Sequence, residues 1–318
     1  EKAIHCFFYS HDDGSLIVSS PMLFASLAPM LERETGLPVL GYLPHMEEAT
    51  IESRHLGLYT AGEIQGLQQR VSRLAQKLEE TTDLDRLLKL FAGRERGSVP
   101  ECLPGPVKAR IAVAEDEAFC FTYRETLEAF HDAGAELVKF SPLNDRELPE
   151  GIGGLYLPGG YPELYAFQLS QNHAMRAAVK NAVESGLPTV AECGGFLYLG
   201  QSLQDMSGTA YPMVGVLPGD GIKRERLVRF GYARLTANED GMLLAKGERV
   251  PVHEFHYWDS TQNGEAFSAE KPVSGKNWLC GFSTKTLYAG FPHLYFWGNP
   301  RLGERFVEEA ARYLERKA

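Results

Sequence analysis

An α/β fold with a mostly parallel sheet is predicted by three features of this sequence. Between residues 109 and 200, short apolar runs alternate with stretches of helical periodicity, and two of those stretches close on Gly134 and Gly186. Two of the apolar runs lead into glycine pairs, Pro158-Gly-Gly160 and Cys193-Gly-Gly195. Sites in parallel sheets form at the carboxyl ends of strands, so these two turns can converge. Past residue 209, short runs separated by turns predict antiparallel hairpins and an extension of the sheet.

Taken in order, residues 15–62 predict an incomplete α/β unit, with a helix from Ser20 to Thr35 and a buried strand over Pro38-Val-Leu-Gly-Tyr-Leu43. Leucines at helical spacing fill residues 64–92. The polar stretch 93–100, followed by Pro104-Gly-Pro106, has the composition of a linker and divides the chain into parts 1–100 and 107–318. In the second part, strands are expected at 109–114, 136–140, 154–157 and 189–191, and helices at 122–133 and 172–185. Further strands are expected at 228–235, 250–257, 278–282 and 286–289. A helix from Arg301, with Phe306, Ala310 and Tyr313 in its apolar stripe, closes the sequence.

The 318 residues are 44% hydrophobic and 23% charged, enough to bury a substantial core. A net charge of −10 argues against a general nucleic-acid binder, and no apolar run approaches the roughly 20 residues of a membrane span. An anionic ligand stays open, because Lys223, Arg224, Arg226 and Arg229 form a local basic patch. The cysteines, at 6, 102, 120, 193 and 280, are odd in number and scattered, without a CxxC pair. Reduced thiols in a cytoplasm are therefore expected, with neither a disulfide framework nor a zinc site.

Cys193 sits where an apolar run meets two glycines and a helix-like segment, the arrangement of a nucleophile elbow. A thiol that attacks a carbonyl needs a base and an oxyanion site. His293, just past a short strand, is the candidate base. The backbone N–H groups of Gly159, Gly160 and Gly194 are candidates for the oxyanion. Val252-His-Glu-Phe-His-Tyr-Trp258 alternates as a strand, with His253, Phe255 and Tyr257 on one face and Glu254, His256 and Trp258 on the other. It is not an HExxH metal motif. His253, Glu254 and His256, with Arg229, are candidates for contact with substrate carboxylates.

Four motifs in register, Pro158-Gly-Gly-Tyr-Pro-Glu163, Ala191-Glu-Cys-Gly-Gly-Phe-Leu-Tyr-Leu199, His253-Glu-Phe-His-Tyr257 and Pro292-His293, resemble the cobyrinate a,c-diamide synthase family. That family lies in the cobyric acid synthase-like branch of the class I glutamine amidotransferases. The resemblance implies a class I amidotransferase-like, flavodoxin-like domain. Upstream, Glu34-Thr-Gly-Leu-Pro-Val-Leu-Gly-Tyr-Leu-Pro44 and Glu52-Ser-Arg-His-Leu-Gly-Leu58 resemble the later part of the family's P-loop, dethiobiotin synthetase-like ATP-binding domain.

The resemblance further implies an ATP- and Mg2+-dependent ligase of the cytoplasm that uses glutamine to amidate the a and c carboxylates of a corrinoid polycarboxylate. Cobyrinate, hydrogenobyrinate and a nickel sirohydrochlorin are equally open as substrates, and a homodimer is open as the assembly. By position, Cys193 is the nucleophile, His293 its acid–base partner, and the glycines after Pro158 form the oxyanion hole. Two residues past His293 stands Tyr295, where many class I relatives keep glutamate, so the third member of the triad is unassigned. The phosphate-binding loop GxxxxGK[ST] does not occur in the sequence. Two alternatives therefore stand beside the ligase: a glutaminase subunit that feeds ammonia to a separate P-loop chain, or a silent remnant that acts as a binding module.

Overall fold

Ser20 is the first described residue of this computed structural model, which covers residues 20–51, 53–54, 57–58, 61, 64–91 and 106–317. The chain divides into two units, Glu1–Pro100 and Glu101–Ala318. Most of the segment expected as a linker lies outside the described residues, as do Cys6 and Cys102.

In the first unit, α1 (Pro21–Thr35) starts where Ser20 Oγ accepts the Leu23 N–H at 3.2 Å and ends at Gly36, with φ 67°. The two-residue strands β1 (Ser53–Arg54) and β2 (Gly57–Leu58) pair antiparallel. The leucine-rich stretch is two helices, α2 (Leu67–Thr81) and α3 (Leu84–Phe91). Between them, Asp83 Oδ1 accepts the Arg86 N–H at 2.9 Å and caps the second helix. The expected strand over residues 38–43 does not form. Only Gly41 finds a partner, in an isolated bridge to Thr82, and one bridge does not make a ladder.

The second unit carries β3 (Ala109–Ala114), α4 (Arg124–Asp132), β4 (Ala135–Phe140), β5 (Gly154–Leu157), α5 (Ala166–Gln171), α6 (His173–Glu184), β6 (Thr189–Glu192) and α7 (Gly194–Leu199). The strands β7 (Ser202–Gln204), β8 (Ala210–Pro212) and β9 (Asp220–Lys223) come next. They are followed by the long pair β10 (Arg229–Ala237) and β11 (Arg249–His256). Short strands β12 (Trp258–Ser260), β13 (Phe267–Glu270), β14 (Asn277–Cys280), β15 (Phe282–Ser283), β16 (Leu287–Gly290) and β17 (His293–Leu294) lead to the last helix, α8 (Arg301–Lys317).

A six-stranded sheet in the order β15-β16-β6-β5-β3-β4 is parallel except at its β15 edge. Its inner strands are buried on both faces, which is why they read as unbroken apolar runs. One face packs Ile111, Val113 and Tyr156 against Phe130 of α4 and Phe306 and Val307 of α8. The other packs Leu155 and Leu157 against Met175 and Val179 of α6 and Phe196 of α7.

The region past 209 extends this sheet only through β15 and β16. Its hairpins make separate sheets: five strands in the order β14-β13-β10-β11-β17, and four in the order β12-β9-β7-β8. The change of sheet between β16 and β17 bears directly on the site. Gly290 still lies beside Glu192 of β6, whereas His293, three residues on, is paired with His253 of β11. Among the described residues, no helix is long and apolar enough to cross a membrane.

Candidate active site

Cys193 joins β6 to α7 with φ 49° and ψ −101°, and among the described residues no other non-glycine has a positive φ. Such a backbone costs about 1–3 kcal/mol and persists only where the surroundings over-determine it. Here the Cys193 N–H donates to Gly290 O at 2.8 Å, and the Cys193 carbonyl accepts the Leu197 N–H at 3.1 Å. A Cβ at Gly195 would lie 2.1 Å from Leu157 O, so only glycine lets the turn close against β5. Cys193 is 9% exposed, and it and Cys280 are free thiols.

His293 is buried beside it. Its Nδ1 lies 3.9 Å from Glu192 Oε2, an ion-pair distance rather than a hydrogen bond. Glu192 is fully buried at the end of β6; its Oε2 accepts the Tyr156 hydroxyl at 2.9 Å and its Oε1 the Leu294 N–H at 2.8 Å. Both carboxylate oxygens are therefore held while one faces the imidazole. Burial disfavours the charged imidazolium, but the adjoining Cys193 and Glu192 outweigh it and push His293 up to about 10. Phe121 and Tyr123 set their rings edgewise on the imidazole, with centroids at 5.0 and 6.1 Å.

The two glycines after Pro158 differ in role. A Cβ on Gly159 would stand 2.6 Å from His293 Cε1, so this glycine clears space for the ring. The Gly160 N lies 3.1 Å from where a Cβ of Gly194 would be, which places the Gly160 N–H against the Cys193–Gly194 turn. Among the described residues, neither the Gly160 nor the Gly194 N–H is engaged by a backbone carbonyl.

The other expected site residues part company across the β10–β11 sheet. His253 shares the His293 side, since the two are partners in register, and its pKa is lowered first by burial and then by His293. Glu254 and His256 are 2% and 5% exposed and point the other way, into the protein, so they present no polar surface to a ligand. The strand alternates as its sequence predicts, and which face is covered follows from the packing. Arg229 pairs in register with His256, and its guanidinium lies 4.8 Å over the Trp278 ring. It is thus held away from Lys223, Arg224 and Arg226, which are exposed.

Glu192 and Tyr156 were not foreseen. The available signal was a glutamate ending an otherwise apolar, buried strand: a carboxylate in such a place requires partners.

Residues 110–300 match the family described as CobB/CobQ-like glutamine amidotransferase domain. The cobyrinate a,c-diamide synthase of Caldanaerobacter subterraneus subsp. tengcongensis is 36% identical over 304 residues, 93% of this chain and 66% of that protein. The cobyrinate a,c-diamide synthase of Dehalococcoides mccartyi (strain ATCC BAA-2266 / KCTC 15142 / 195) is 40% identical over 291 residues, 87% of this chain and 62% of that protein. The chain thus spans less than two thirds of the length of either relative. A structure of PurLQS from Thermotoga maritima aligns with a TM-score of 0.46 at 16% identity, over 65% of this chain and 100% of that one.

Proposed function

This chain belongs to the family of CobB/CobQ-like glutamine amidotransferase domains, and on that premise we propose that it hydrolyses glutamine at Cys193 and that the released ammonia amidates the a and c carboxylates of cobyrinic acid in cobalamin biosynthesis. The observation that carries the proposal is the strained elbow of Cys193 beside a buried His293–Glu192 pair.

In the glutaminase half, Cys193 Sγ attacks the side-chain amide carbon while His293, whose pKa is pushed up to about 10, already carries the proton the sulfur gives up. The N–H groups of Gly160 and Gly194 hold the developing oxyanion. The carbon–nitrogen bond breaks, His293 protonates the departing nitrogen, and ammonia leaves a γ-glutamyl thioester. Water, deprotonated by His293, then cleaves the thioester to glutamate and restores the thiol. Glu192 keeps Nδ1 of the imidazole aimed at itself and leaves the other ring nitrogen for the sulfur.

ATP and Mg2+ for the ligation half are implied by the resemblance. Among the described residues, no group of three or more His, Cys, Asp or Glu is placed to hold a metal ion, and the sequence holds no GxxxxGK[ST] loop. No residue of this chain is therefore assigned to that half.

The test is glutamate release from glutamine by the purified chain and by Cys193→Ala, each repeated with cobyrinic acid, ATP and Mg2+. Release that disappears in the variant, with corrinoid masses changed by one and then two amidations, supports both halves. Equal release from the two proteins removes Cys193 as nucleophile. Release without corrinoid amidation overturns the ligation half for this chain.

A further inference from the structure

Glu254 and His256, buried on the inner face of β11, have no part in the chemistry above. A carbonyl oxygen only accepts, so the 2.6 Å contact of His256 Nδ1 with Trp258 O places a proton on Nδ1. The other ring nitrogen, Nε2, stands 3.2 Å from Glu254 Oε2, and one proton lies between them. The imidazole is thus gripped at both nitrogens and cannot turn about its ring axis.

Its flat face lies on Phe291, with centroids 3.8 Å apart and planes within 4°. Phe291 in turn meets Phe196 in a T-shaped contact, with centroids at 5.1 Å and planes at 78°. Phe196 is three residues past Cys193 on α7, and Phe291 is two residues before His293. One ring therefore touches both chain segments that must be kept in register, the nucleophile's helix and the base's approach. Tyr288 adds a second hold on that approach by donating its hydroxyl to Pro292 O at 2.9 Å. Cys280, whose thiol is pushed up first by burial and then by the Glu254 charge, and Arg229 over Trp278 flank the Glu254–His256 pair.

We propose that His256 is a positioning residue: its ring, hydrogen-bonded to Glu254 and Trp258, stacks on Phe291, and Phe291 fixes the spacing between Cys193 and His293. The proposal rests on the glutaminase reading of Cys193 and His293. What acts on the site is the flat ring, and the polar grip sets the ring's orientation.

The decisive comparison is between two double variants that both remove the buried polar pair, Glu254→Leu/His256→Phe and Glu254→Leu/His256→Leu. They differ in the ring alone. Two quantities are read for each: glutamine hydrolysis, and the rate of iodoacetamide alkylation at Cys193 followed by peptide mass spectrometry. The ring-retaining variant is expected within about threefold of wild type in kcat. The leucine variant is expected about tenfold or more below it in kcat, with KM within about twofold, as a displaced catalytic pair requires. Alkylation at Cys193 should change in the same order, and this readout is independent of glutamine turnover.

Phe291→Leu removes the same stack from its other side while leaving Glu254 and His256 paired, and should match the leucine double variant if either double variant fails to fold. Equal kcat and equal alkylation in the ring and leucine variants, or a Phe291→Leu protein as active as wild type, would overturn the proposal. If glutamine is not hydrolysed even by wild type while alkylation still separates the variants, the positioning role stands and the glutaminase reading falls.

Discussion

His293 Nδ1 faces Glu192 Oε2 at 3.9 Å, so the residue immediately before the candidate nucleophile supplies the carboxylate beside the candidate base. Tyr295, two residues past the histidine, is 47% exposed and takes no part. The acid reaches the imidazole from β6 because β17 leaves the β16 edge and returns over the end of β6. Chain order and spatial order differ here, and adjacent strands substitute for sequence spacing.

Glu192→Gln should test that assignment. The glutamine side chain keeps the size but removes the charge opposite Nδ1 that helps hold the His293 proton and orient the ring. We expect kcat for glutamine hydrolysis to fall about 10²–10³-fold with little change in KM. Tyr156→Phe, which removes one of two hydrogen bonds to the carboxylate, should cost about 1–3 kcal/mol of stability in urea unfolding. A Glu192→Gln enzyme as fast as wild type would falsify the orienting role.

The raised pKa of His293 has a stability consequence with a definite sign. The native state holds its proton more tightly than the unfolded chain, so this contribution is fully present below about pH 6.5 and is lost as pH rises towards about 10. The stability difference between wild type and His293→Asn should therefore be largest at mildly acidic pH and shrink steadily on the alkaline side. Urea unfolding across that range measures it; a difference that grows with pH would show that the native site does not favour the imidazolium.

Gly159→Ala should damage activity more than folding. The added methyl would stand 2.6 Å from His293 Cε1, and the ring must shift by roughly 0.8 Å to reach ordinary contact at 3.4 Å. Displacement of the base by this much should lower kcat at least about tenfold. Gly160→Ala differs, because its Cβ would meet Ala118 O, a backbone atom, at 2.1 Å at a φ of 155°. Loss of about 2 kcal/mol or more in thermal or urea unfolding is expected there. Equal kcat in Gly159→Ala and wild type would place the imidazole elsewhere.

The elbow strain should be recoverable as stability. Cys193→Gly and Cys193→Ala both remove the thiol, and both should abolish glutamine hydrolysis. Only glycine adopts φ 49° without penalty, so Cys193→Gly should be about 0.5–2 kcal/mol more stable than Cys193→Ala. Alanine and glycine variants that unfold together would mean that the turn is not strained.

Sequence alone determined much of the second unit. The strands ending at Ala114 and Leu157 were recoverable because parallel strands buried on both faces show as largely apolar runs. Cys193 and the glycines were recoverable because a tight strand-to-helix turn restricts residue type locally. Where partners were needed, sequence was insufficient. Residues 38–43 have strand composition but only one bridge, and β10, β11, β13 and β14 joined each other rather than the main sheet.

The polar groups of the site divide in the same way. The alternation of residues 253–257 was legible, yet its covered face was decided by packing, which buried Glu254 and His256 and left His253 beside His293. Glu192 became part of the site only when β17 brought His293 across the end of β6. The sequence by itself determined the local chemistry: a thiol on a glycine-relieved turn and a histidine downstream. The tertiary structure decided which carboxylate serves that histidine, because a buried ionisable side chain takes its partner from the strands beside it in space, at distances that sequence separation does not encode.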